Sequence, residues 1–209
     1  MKIIWMDDLF ESHYRQWVEK FESSKEHFQG CELIYCTEKD QIDSKGRGEA
    51  AMRAFKLQLD NLSETVDDGS QVENVAFVID VKITSHDQTL GIFGDSVKGV
   101  KARRGSDTGY KIGSYILANF ASQRPSIYGN KFSQCPVLFL SSSNFDSSIG
   151  AVSHFTKNGN YQTEIPIGNN LRDKVQYTLL TKSTGFGASN QQEDFLMVDK
   201  WVRWLRLEE

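Results

Sequence analysis

Three carboxylates, a hydroxyl and an ammonium stand at the ends of apolar runs in this chain, a set that a divalent cation and a phosphoryl group could use together. Val75, Ala76, Phe77, Val78 and Ile79 are followed at once by Asp80. Such an unbroken apolar run reads as a strand buried on both faces. Lys2 to Met6 is a second run and ends in Asp7 and Asp8. Val137 to Leu140 ends in Ser141 and Ser142, and the short run His154 to Thr156 ends in Lys157. Ligands of an open α/β sheet lie beyond the carboxyl ends of its strands, so these end residues are the candidates for chemistry. An Asp ahead of a helix also serves as an N-cap. Two in succession after a buried strand point instead to metal ligation.

The elements that would carry these residues alternate. After Asp8, the residues Phe10, Tyr14, Trp17, Val18 and Phe21 recur at helical spacing, with Glu11, Arg15, Glu19 and Lys20 on the other side. Cys31 to Cys36 reads as a second strand, and Ala51, Met52, Phe55, Leu59 and Leu62 mark a second helix opened by Ser44 to Gly48. The third strand ends in Asp80. From Ser85 to Asp107 glycines and basic residues alternate with no sustained apolar period, which reads as a long loop or flap near the strand-three carboxylate. Its Lys98, Lys101, Arg103 and Arg104 are candidate phosphate or partner contacts. Ile112, Tyr115, Ile116 and Phe120 give a third helix, ended by the pair Arg124, Pro125. Strand four spans Pro136 to Leu140, and Ser153 to Lys157 makes a short strand five. A helix is expected near Asn170 to Leu180. Val198, Trp201, Val202 and Leu205 define a closing helix whose apolar stripe suits core or subunit contact, a homodimer included.

Composition narrows the classes. The chain has 209 residues, 39% hydrophobic and 25% charged, as an ordinary globular protein does. A formal net charge of -4 argues against general nucleic-acid affinity. No apolar run approaches the length of a membrane span. The opening, one Lys and then a strand, is not expected to be a signal peptide, and a cytoplasmic location is expected. Cys31, Cys36 and Cys135 make no metal-type pair and read as small buried hydrophobes.

Alternating strands and helices imply a mainly parallel, doubly wound α/β sheet with helices on both faces. In that order the strand ends resemble the receiver domain of two-component response regulators. The matching pieces are Ile3 to Asp8 for the acidic pair, Phe77 to Asp80 for the phospho-accepting strand and Pro136 to Ser142 for the hydroxyl strand. The fourth is Gly150 to Lys157, similar to the family's Gly, Ala, aromatic, Leu, Thr, Lys signature. The resemblance implies a flavodoxin-like fold of five strands over residues 1–160, with 85–107 as an inserted loop and 161–209 as a C-terminal extension. It implies that Asp7, Asp8, Asp80 and the backbone carbonyl of Lys82 hold Mg²⁺. It further implies that Asp80 takes a phosphoryl group from a histidine kinase or phosphotransfer protein, that Ser141 and Lys157 contact that group, and that His154 is the switch residue. Two other readings use the same residues. One is a Mg²⁺-dependent phosphatase or nuclease with Lys98 to Arg104 as a basic flap. The other is a degenerate receiver that binds a partner without phosphorylation.

Overall fold

The computed structural model describes residues 1–24, 27–37, 43–83, 90–101, 108–117, 127–141, 152–155, 161–164, 177–181 and 188–207. Four apolar runs form the strands β1 (Lys2–Met6), β2 (Glu32–Cys36), β3 (Val75–Asp80) and β4 (Val137–Ser141). They lie in parallel in the spatial order β2-β1-β3-β4. All six residues of β3 are buried, as an unbroken apolar run with a neighbour on each side requires.

Alternation along these strands makes two cores. Ile4, Met6, Phe77, Ile79, Val137 and Phe139 face α3 (Ser44–Ser63) and α4 (Thr108–Tyr115). Ile3, Trp5, Ala76, Val78, Leu138 and Leu140 face the other way, onto α1 (Phe10–His13), α2 (Arg15–Ser24) and α5 (Ala188–Leu207). The chain is thus an α/β protein with helices on both faces of a largely parallel sheet. The stretch expected as one helix after β1 is broken at Tyr14, whose buried ring lies 5.0 Å from that of Trp5. The Asp43 side chain caps α3 by accepting from the backbone N–H of Gly46 at 2.8 Å, and α3 then buries Ala51, Met52, Phe55 and Leu59. Each such large side chain, fully buried, contributes about 1.5–3 kcal/mol.

Three expectations change beyond β4. The sheet carries seven strands rather than five, continuing past β4 through β7 (Tyr177–Thr181), β5 (Val152–Phe155) and β6 (Tyr161–Glu164). The strand beside β4 is β7, parallel to it, where a helix was expected near 170–180. Tyr177, Thr178, Leu179, Leu180 and Thr181 are strand-favouring residues, and the edge of β4 supplies the backbone partners they need. β5 pairs with β7 in parallel and with β6 in an antiparallel hairpin, so β7 separates it from β4. The segment 161–209 therefore contributes β7 to the interior of the sheet and α5 to its core.

The closing helix packs inside the chain. Phe195, Val198, Trp201 and Val202 of α5 are buried against the sheet, so the stripe considered for a homodimer covers the protein's own core. In the region expected as a long loop or flap, residues 90–101 form two short 3-10 turns. These turns plant Leu90, Phe93, Val97 and Val100 in the α3 side of the core, with the Phe93 ring 6.5 Å from that of Phe55. Among the described residues no helix is long and apolar enough to cross a membrane.

Candidate metal centre

Register brings the acids together. Met6 is level with Ile79 in the β1–β3 pair, so the residues that follow, Asp7 and Asp80, emerge side by side at the carboxyl end of the sheet. Asp8 is next along the chain. Asp7, Asp8 and Asp80 each offer a carboxylate oxygen, the three lying within 4.8 Å of one another, and the residues are 0%, 6% and 4% exposed. The first crossover of the chain runs on one face of the sheet and the next on the other, so the gap between β1 and β3 is where the winding reverses. Crevices of this kind are the ligand sites of open α/β sheets.

Local hydrogen bonds set the carboxylates. Asp7 Oδ1 accepts from the backbone N–H of Leu9 at 2.8 Å, which fixes the turn into α1. The N-cap residue of α1 is Leu9, which makes no side-chain capping bond. Asp80 Oδ1 accepts from the backbone N–H of Lys82 at 3.2 Å, drawing the chain after β3 into a tight turn. Two carboxylates at such a separation repel by roughly 3 kcal/mol at an effective dielectric of about 20. Three oxygen donors of like charge, gathered and desolvated, form a set that a hard divalent cation fits and that transition metals preferring nitrogen or sulfur do not.

The other candidates lie as follows. Ser141 ends β4, is 3% exposed and sits one residue past Leu140, the register partner of Asp80. Strand alternation puts it on the α4 side with Val137 and Phe139, whereas Asp80 continues Ala76 and Val78. Lys82 is exposed and directly follows the buried Val81. His154 lies in β5, paired with Leu179 of β7 and Gln162 of β6, and so is not on the strand next to Ser141. Lys157, Arg103 and Arg104 fall outside the described residues. Lys98 is exposed and pairs with Asp95 at 3.3 Å within its own turn, and Lys101 is exposed.

One candidate escaped the sequence reading. Thr181, the last residue of β7, is level with Ser141, and the next residue in the sequence, Lys182, lies outside the described residues. The signal was the one used elsewhere, an apolar run ending in a charged residue. Assigning 170–180 to a helix hid it.

The fold and the acidic cluster together define an α/β protein with a site suited to a hard cation. Comparison with protein-family models, with curated proteins and with solved structures finds no match for this chain.

Proposed function

We propose that this protein is an atypical receiver, flavodoxin-like in its strand order β2-β1-β3-β4-β7, that accepts a phosphoryl group on Asp80. The observation carrying this reading is the buried cluster of Asp7, Asp8 and Asp80 at the point where the sheet reverses its winding. Asp7, Asp8, Asp80 and the carbonyl of Lys82 would hold Mg²⁺. Bound there, the ion would neutralise charge on the oxygens of the transferring phosphoryl group.

The chain's own residues do the rest. A carboxylate oxygen of Asp80 forms a bond to phosphorus as the P–N bond of a phosphohistidine breaks; the donor imidazole leaves with the electron pair and takes up a proton. The donor is a histidine kinase or phosphotransfer protein. Low exposure at Asp80 limits the approach of water to the resulting acyl phosphate. Ser141 donates a hydrogen bond to the phosphoryl group. Lys157, which the resemblance assigns to this role, pairs with it as an ammonium.

The test is intact mass after incubation with Mg²⁺ and acetyl phosphate, for wild type and Asp80→Asn. A gain of one phosphoryl group by the wild type alone is expected. No gain under conditions where Mg²⁺ binds would reject the acceptor role and direct the work to phosphoester turnover. Absence of Mg²⁺ binding as well would favour an interaction module.

A further inference from the structure

We infer that Gly109, together with Thr108, is a positioning residue for this site: the amino end of α4 clamps the backbone that carries Asp80 and the Lys82 carbonyl. The inference rests on the proposed metal site and concerns how that site is held in shape.

The approach of α4 to β3 is backbone to backbone. The N–H of Gly109 donates to the carbonyl of Val81 at 3.0 Å. The hydroxyl of Thr108, buried to 3% exposure, donates to the carbonyl of Ile83 at 2.7 Å. These two bonds use the carbonyls on either side of Lys82 and not that of Lys82 itself. At the other end of the same segment, the N–H of Lys82 is held by the Asp80 carboxylate. Residues 80–83 are thus fixed by bonds at both ends, two of them from α4.

Glycine is required by distance at this point. A Cβ on residue 109 would stand 2.4 Å from the carbonyl oxygen of Asp80, 2.9 Å from the Cα of Val81 and 3.0 Å from the carbonyl carbon of Asp80. All three are main-chain atoms, so no rotamer change relieves the overlap. The first contact falls about 1 Å short of ordinary van der Waals distance, and either α4 or the end of β3 must move by that order. Mg²⁺ demands near-ideal octahedral geometry, and a misplacement of about 1 Å at a reacting centre can cost about a hundredfold in rate.

The test uses the full-length chain. Mg²⁺ affinity is measured by titration calorimetry and phosphoryl gain from acetyl phosphate by intact mass, with circular dichroism checking the fold. Gly109→Ala is expected to weaken Mg²⁺ binding about tenfold or more and to slow phosphoryl gain further. Thr108→Val, which removes the hydroxyl and keeps the shape, is expected to weaken it about threefold, and Thr108→Ser to restore it. Leu59→Ala, in the α3 core, should lower the melting temperature without moving the Mg²⁺ affinity. A folded Gly109→Ala with wild-type affinity and rate overturns the inference. If Gly109→Ala does not fold, Thr108→Val decides, and wild-type affinity in it overturns the inference equally. A wild type that binds no Mg²⁺ rejects the metal site itself, and the clamp's role with it.

Discussion

Buried carboxylates occur in two quite different settings in this molecule. Asp199 of α5, its side chain 3% exposed, is surrounded by donors from its own chain: His27 Nδ1 at 2.7 Å, the N–H of Phe28 at 2.7 Å and the Arg203 guanidinium at 2.7 Å. These bonds tie the turn before β2 to α5 and hold Phe28 at φ +49°, a left-handed conformation that costs a non-glycine residue about 1–2 kcal/mol. Asp7, Asp8 and Asp80, also buried at 0%, 6% and 4% exposure, stand with carboxylate oxygens within 4.8 Å of one another. The first arrangement satisfies a charge within the fold. The second gathers three acids at a strand end, where carboxylate oxygens within 4.8 Å of one another could hold a cation.

That contrast predicts substitutions of opposite sign. Asp199→Ala removes one member of a buried, hydrogen-bonded charge group and releases the Phe28 turn. Its expected cost is about 3–5 kcal/mol, read from the urea midpoint at constant slope. Asp7→Asn keeps an oxygen to accept from Leu9 and removes one charge from the cluster. In the absence of metal it should stabilise the protein by about 1–2 kcal/mol. If the proposed site holds Mg²⁺, the same substitution should abolish the stabilisation the ion would give, about 2.7 kcal/mol at a hundred times the dissociation constant. Loss of stability in metal-free Asp7→Asn would put the triad in the same class as Asp199, and the comparison would fail.

Both settings were legible in the sequence to different degrees. Val75 to Asp80 and Lys2 to Asp8 announced strands ending in acids because a fully buried strand leaves a contiguous apolar run, and parallel register then does the gathering. Only Arg203, four residues on, marks Asp199 locally: its partners His27 and Phe28 are some 170 positions away in the chain, and only the docking of α5 brings them together. Gly109 was equally silent, since a glycine near a helix start is common and the distance to Asp80 exists only in the folded chain. β7 was misread as a helix because Leu179 and Leu180 suit either state over so short a span, and the open edge of β4 decided between them. The insertion was read as a long loop or flap because glycines at 91, 94 and 99 interrupt it, although Leu90, Phe93, Val97 and Val100 stand three and four residues apart. They are spaced by 3-10 turns, which still carry each of them to the core.

A third kind of buried ionisable group sharpens the comparison by being neutral. Cys135 is 2% exposed, its thiol contacts the carbonyl of Val72 at 3.4 Å, and burial pushes its pKa up to about 12 from an ordinary 9.0. Burial pushes the Cys36 thiol up as well. A pKa raised on folding means that the native state holds its proton more tightly than the unfolded chain. The associated stability is complete below about pH 9 and is lost as the pH climbs towards 12, at up to about 1.4 kcal/mol per pH unit for each thiol. Tyr128, held up by burial and by its bond to Asp60, adds to this loss only above about pH 10, so the informative window is pH 8 to 10. Urea midpoints across that window should fall in the wild type and fall less steeply in Cys135→Ala, whatever the lower starting stability of that variant. The sign difference between Asp7→Asn and Asp199→Ala should persist at pH 8 and at pH 10. A pH slope left unchanged in Cys135→Ala would mean that this thiol does not hold its proton more tightly in the native state. A sign difference that closes with pH would mean that the two carboxylate settings are not distinguished by fixed charge.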